Sequence, residues 1–221
     1  QMKDDADRAR RFTRMLFDFH RSLAENLAEA VDMSGVERFM DLGGGSGIMT
    51  NAILARNPDI SATIVDIETV CDTGREIVVA LPTADRIDHH PADILADDLP
   101  KGFDLILECD VGLYQKDLFR KLQSCLNRGG RLVIVDHFAP EKGVVPPGRP
   151  LAWGLIGSLA IPEFSFLTAA EVREALEESG FRIRSETELP DHWLMIDSTS
   201  KACSARRQRS RMAGASGSRG G

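Results

Sequence analysis

The chain has 221 residues, is 43% apolar and carries a formal charge of −7 with a pI near 5.3. That apolar share supports a full single-domain core and excludes disorder as the default. The acidic balance excludes a nucleic-acid binder in the ordinary sense, because phosphate contacts need clustered Lys and Arg. In chain order, the first predicted element is a helix over 5–30, where Phe12, Met15, Leu16 and Phe19 share a face and Leu23, Leu27 and Ala30 continue the spacing. A strand over 37–42 (ERFMDL) follows, then four glycines between Gly43 and Gly47, then a helix from Ile48 to Arg56. Next come a β-branched strand ending at Asp66, a helix over 68–80 stopped by Pro82, and a weak strand at DRIDHH. FDLILEC (103–109) reads as a buried strand, 115–127 as a helix closed by glycine in NRGG, and RLVIVD (131–136) as another buried strand. After a Pro/Gly-rich stretch over 138–149, an apolar helix is expected over 150–161. TAAEVREALEESGF is amphipathic, with Thr168 and Glu171 at capping-box positions and Gly180 at its end. RIRSETEL and WLMID complete seven strands as an antiparallel edge pair. Alternating apolar strands and helices argue for an α/β fold, doubly wound about a mostly parallel sheet.

The remaining features set boundaries. Residues 198–221 hold six cations and no acid, leaving the other 197 residues with 21 basic against 34 acidic side chains, a balance of −13. This segment is expected to be a basic tail without fixed structure, after a leading helical segment (1–35) and a main domain (36–197). Cys71, Cys109, Cys125 and Cys203 are scattered with no CxxC pair, which fits a reducing, cytoplasmic setting and gives no disulfide framework. No group of His, Cys and acids has metal-ligand spacing, so no metal is expected. No signal-peptide pattern precedes the first helix, and the longest apolar stretch, 151–164, is too short to span a bilayer. The chain opens on Gln1 rather than Met, which fits a piece of something longer.

The glycine loop, MDLGGGSG, carries the chemistry. Glycines between a first strand and a helix clear Cβ atoms from a cleft lined by backbone N–H groups. A P-loop needs a glycine at its sixth position with Lys after it; counted from Gly43 the sixth position here is Ile48, and no Lys follows. The dinucleotide fingerprint fails at the same residue. What stands is Asp41 two residues ahead of Gly43, Gly45 and Gly47. A carboxylate there would repel a pyrophosphate and attract an ammonium group. A nucleoside with a cationic end fits, and S-adenosylmethionine is one.

MDLGGGSG resembles the first motif of class I S-adenosylmethionine-dependent methyltransferases, which implies a Rossmann-like fold. RFTRMLFDFHRSLAENLAEAVDMSGVERFMDLGGGSG, LPKGFDLILECDVGLYQKDLFRKLQSCLNRGGRLVIVDHFAPE and LTAAEVREALEESGF are together similar to the catalytic domain of the caffeate and acetylserotonin type of O-methyltransferase, over roughly 10–197. The resemblance implies methyl transfer to a hydroxyl of a small, largely apolar aromatic acceptor. It implies that Asp66 grips the ribose, that Asp93 approaches the adenine amino group and that Ile94 packs on the ring. It also implies a winged-helix dimerisation domain ahead of this segment, hence a homodimer, and no such domain is in the sequence.

One departure concerns the base. The family's histidine after the fourth strand is missing from CDVGLYQKD. Three explanations stand open: another group serves, the acceptor needs little help, or the chain is an incomplete or inactive cofactor-binding module. For the first, His137 and Tyr114 are the catalytic candidates, with Asp110 near. His89 and His90 are expected beside the cofactor, and His20 and His192 at the surface or in packing. The acceptor pocket is expected to use Met15 and Phe19 from the leading helix and Trp153, Leu155 and Ile156 from the insert.

Overall fold

The computed structural model describes residues 5–140 and 167–201. Trp153, Leu155, Ile156 and the helix expected over 150–161 lie outside them. Two helices, α1 (Ala6–Phe19) and α2 (Arg21–Ala30), lead into β1 (Arg38–Leu42), α3 (Ile48–Arg56), β2 (Ser61–Asp66), α4 (Glu68–Val78), β3 (Ile87–Pro91) and β4 (Phe103–Cys109). Then follow α5 (Lys116–Cys125), β5 (Leu126–Asp136), α6 (Ala169–Glu178), β6 (Phe181–Leu189) and β7 (Trp193–Ser200). The seven strands run in the order β3-β2-β1-β4-β5-β7-β6. β1 to β5 are parallel, and β7 is antiparallel to both β5 and β6.

Strand alternation divides the core. Phe39, Leu105 and Val133 face α2 and α3, with Leu27 and Ile53 packed on them. Their neighbours Met40, Ile106 and Leu132 face α5 and α6, against Phe119, Leu122 and Leu176. Phe39, Phe103, Phe119 and Phe181 are fully buried, each contributing about 1.5–3 kcal/mol by leaving water. The capping box forms at α6: Thr168 Oγ1 accepts from Glu171 N, and the Glu171 carboxylate accepts from Thr168 N at 2.8 Å.

The structure corrects three expectations. The leading helix is two helices, broken at His20, whose φ and ψ are −93° and 8°. The break lets α1 cross α4, where Arg10 and Arg14 pair with Glu76, while α2 turns to pack on α3. Glycine does not cap α5, because Leu126 is already extended and residues 126–130 open β5, with Leu126 paired to Phe103. Residues 198–200, expected in the basic tail, belong to β7. Ser198 is fully buried and donates from Oγ to the Leu132 carbonyl at 2.9 Å, so small polar residues that read as tail are the end of β7. Residues 202–221 lie outside the described residues.

Candidate functional site

The strand order reverses between β1 and β4, and ligands of open α/β sheets bind outside the carboxyl ends of the strands at such a point. A cleft of about 240 Å³ lies there. Its floor is the glycine loop from Gly43 to Ser46 with Asp41 beneath it. One wall is Asp66 and Val70 with Ile94, and the other is Cys109, Asp110 and Val111 after β4. Phe12, Thr13, Leu16 and His20 reach across from α1. A second hollow of about 290 Å³ adjoins beyond Asp66, lined by Ile67, Glu68, Thr69, Asp93 and Asp97.

Each part of the loop has a steric reason. Gly43, Gly45 and Gly47 have φ of 70°, 49° and 74°, and Gly47 is the N-cap of α3. Gly44 was not singled out in the sequence, yet a Cβ on it would lie 2.5 Å from the Asp41 carboxyl carbon. Gly74 on α4 was missed as well: its Cβ would stand 2.6 Å from the Gly45 carbonyl oxygen, so α4 lies directly on the loop. For Gly74 the missing signal is that close approach between distant segments leaves no local pattern, whereas Gly44 meets Asp41 three residues away in the same loop.

The acids differ in setting. Asp41 is 1% exposed, and burial pushes its pKa up to about 7 even though the Thr50 hydroxyl donates to it at 2.5 Å. The neighbouring Asp66 raises it further. Asp66 accepts from the N–H of Ile67 at 2.8 Å and of Gly45 at 3.1 Å, which restrains but does not cancel the rise that burial causes, to about 6. Two largely desolvated carboxyls, Asp41 buried and Asp66 partly so, with neutral donors only among the described residues, gain from a cation placed in the cleft. Asp93 accepts from the N–H groups of Leu95 and Ala96, which holds the turn that carries Ile94 to the wall. Among the cofactor candidates, then, Asp41, Gly43, Gly45, Asp66 and Ile94 line one cleft, Gly47 starts the helix behind it, and Asp93 lines the adjoining hollow.

The catalytic candidates fall elsewhere. Tyr114 donates its hydroxyl to Asp136 Oδ2. Burial, with Asp136 and Glu108 adding to it, holds the phenol well above its ordinary range, which favours the protonated form. Burial likewise brings Asp136 up to about 7, with Asp110 adding to the rise. His137 is 4% exposed, stacks on Trp193 at 3.9 Å and places Nδ1 3.1 Å from the His192 carbonyl oxygen. Neither Tyr114 nor His137 lines the cleft. Alternation is the reason for His137, which follows Val133 and Val135 on the face turned to α2 and α3.

Met15 and Phe19 are 50% and 43% exposed and also lie outside the cleft lining. Phe12, Thr13 and Leu16 of α1, with His20 just after it, face the cleft, so Phe12 and Leu16 of the apolar stripe read from the sequence line it while Met15 and Phe19 do not. His20, expected at the surface or in packing, is 6% exposed and part of the cleft wall. Among the described residues no group of His, Cys, Asp and Glu is arranged to hold a metal, and no helix is long and apolar enough to cross a membrane.

The chain resembles known proteins along most of its length. The family model for the O-methyltransferase domain matches residues 1–182. The 3-hydroxy-5-methyl-1-naphthoate 3-O-methyltransferase of Streptomyces sahachiroi is 40% identical over 138 residues, covering 60% of this chain and 40% of that protein. The crystal structure of the mitomycin 7-O-methyltransferase MmcR superposes with a TM-score of 0.80 at 24% identity, covering 90% of this chain and 60% of that one. Human N-acetylserotonin methyltransferase in complex with SAM gives a TM-score of 0.76 at 19% identity, over 90% of this chain and 57% of that one. The chain spans about half the length of the curated relatives it matches.

Proposed function

This chain belongs to the O-methyltransferase domain family, and from that premise we propose that it binds S-adenosylmethionine and directs methyl transfer to a hydroxyl of a small, flat, largely apolar acceptor such as a hydroxynaphthoate. The observation that carries the reading is Asp41: a carboxylate 1% exposed, pressed against the Gly44 backbone and without a cation among the described residues. The chain supplies neutral hydrogen bonds to Asp41 and Asp66 and leaves a cleft above them, which suits a ligand that brings its own positive charge.

In this reading Asp41 and the loop at Gly43, Gly45 and Gly47 receive the aminocarboxypropyl end. Asp66 takes the ribose hydroxyls through lone pairs that Gly45 and Ile67 leave available, while Ile94 covers the adenine and Asp93 lies towards its amino group. When bound, the sulfonium supplies an electrophilic methyl group and keeps the electron pair of the broken S–C bond. The chain's own part is to orient the acceptor, keep water out and take its proton. The apolar side chains Phe12, Leu16 and Val111 on the wall opposite Asp66 suit an aromatic acceptor. Exposed Met15 and Phe19 offer an apolar patch on α1 that fits a homodimer contact. Buried Cys71 and Cys125, both unpaired, fit a cytoplasmic setting.

Calorimetry with S-adenosylhomocysteine tests the reading. Wild-type protein is expected to bind with measurable heat, and Asp66→Ala to lose about 1.5–3 kcal/mol of affinity by removing charged hydrogen bonds. Absence of heat and of thermal stabilisation at millimolar ligand would overturn it.

A further inference from the structure

The cleft holds one histidine, and it comes from the leading helices. His20 sits at the break between α1 and α2, is 6% exposed and lines the cleft with Asp41, Asp66 and Asp110. Its Nε2 lies 3.1 Å from Asp110 Oδ2. Nε2 makes no straight hydrogen bond there or to any other described residue, so it is coupled to Asp110 through charge and proximity. Asp110 is itself unusual. It stands immediately after β4 with φ of 57°, a left-handed conformation that a non-glycine residue holds only when its surroundings require it. Its N–H donates to the Val135 carbonyl at 2.9 Å, which pins that conformation. Trp193 meets the His20 ring edge-on at 6.0 Å and Phe19 at 5.2 Å, which fixes the imidazole against the wall.

A strained acid aimed at a buried imidazole in a cleft wall is the arrangement of a base and its orienting partner. We propose that His20 is the general base for the acceptor hydroxyl and that Asp110 is its positioning residue; this presupposes the methyl-transfer function proposed above. With Nε2 held as N–H beside Asp110, the lone pair is on Nδ1. The acceptor O–H bond breaks, its proton forms an N–H bond on Nδ1, and the electron pair stays on oxygen, which becomes the nucleophile. The resulting imidazolium is balanced by the Asp110 carboxylate. The residue that follows the fourth strand thus contributes to the base indirectly, and the base arrives from a segment about ninety positions earlier in the chain.

Three measurements on this chain test the proposal, with wild type, His20→Gln, His20→Ala and Asp110→Asn. S-adenosylhomocysteine calorimetry reports whether each variant retains its cofactor site. With that ligand bound, 4-nitrophenol reports ionisation through its yellow phenolate band. Labelled methyl transfer to 3-hydroxy-1-naphthoate reports turnover. The expected result is a phenolate band in wild type below the free phenol's own titration range and none in His20→Gln, with affinity for S-adenosylhomocysteine unchanged. Turnover is expected to drop by roughly 10²–10⁴ in His20→Gln, with partial recovery of His20→Ala by added imidazole. Asp110→Asn is expected to lower kcat while the acceptor KM stays put. A wild type that binds S-adenosylhomocysteine but leaves bound 4-nitrophenol protonated would overturn the inference, whatever the variants do. So would a His20→Gln protein that keeps both the band and the rate. Absence of heat in wild type would instead sink the function itself, and this inference with it.

Discussion

At the β1–β2 end of the sheet, Asp41 and Asp66 each meet neutral donors from nearby in the chain: the Thr50 hydroxyl, the Gly45 N–H and the Ile67 N–H. At the β4–β5 end, Glu108, Asp110 and Asp136 meet mainly one another, with Tyr114 and the Leu113 and His137 N–H groups as the donors between them. Burial holds Glu108 well above the ordinary carboxylate range and Asp136 at about 7. The first end is organised to receive a charge from outside. The second keeps protons in the protein, and it borrows its histidine from α1 and α2. Binding and proton handling are therefore separable here, because of the second cluster only Asp110 lines the cleft that holds Asp41 and Asp66.

Three perturbations sharpen that contrast, the one with the largest expected effect on binding first. Gly74→Ala should strike the binding end hardest, since its Cβ would stand 2.6 Å from the Gly45 carbonyl oxygen. Overpacking of this kind costs about 1–3 kcal/mol of stability, and the displaced loop should weaken S-adenosylhomocysteine by at least about tenfold. Urea unfolding and calorimetry read both; unchanged affinity would show that the loop gives way without consequence. Tyr114→Phe should touch only the other end. It removes the donor to Asp136 and should cost about 1 kcal/mol, with S-adenosylhomocysteine affinity unchanged. A matching loss of affinity would mean the two ends are coupled.

The third perturbation is pH, which acts on several groups at once. Asp41, Asp66 and Asp136 bind protons more tightly folded, at about 7, 6 and 7, than at the ordinary carboxylate value of 3.8. The folded state therefore holds more protons than the unfolded state through this window, and stability falls as pH rises. His89 works in the opposite direction below its ordinary 6.5, because burial lowers it to about 4; it is one group against several. The ligand-free melting temperature should rise on going from about pH 8 to about pH 6. Affinity for S-adenosylhomocysteine should fall over the same range as Asp41 and Asp66 lose charge. A melting temperature that rises with pH would contradict the assignment of these acids.

What could be read from the sequence was whatever repeats locally. Strand alternation, helical periodicity, the capping box at Thr168 and Glu171, and the acid–glycine loop at Asp41 to Gly47 are all set within a few residues, by backbone sterics and side-chain direction. The seven strands and their antiparallel edge follow from these patterns. The tertiary structure decided which side chains meet across the cleft. His20 looks like the polar end of an apolar stripe until α1 breaks there and swings it over Asp110. His137 directly follows β5 but stacks on Trp193 and is not part of the cleft lining. Gly44 and Gly74 are required by contacts under 3 Å that only folding creates. Periodicity fixes the faces of each element. The meeting of faces from distant segments depends on packing, which no local spacing encodes.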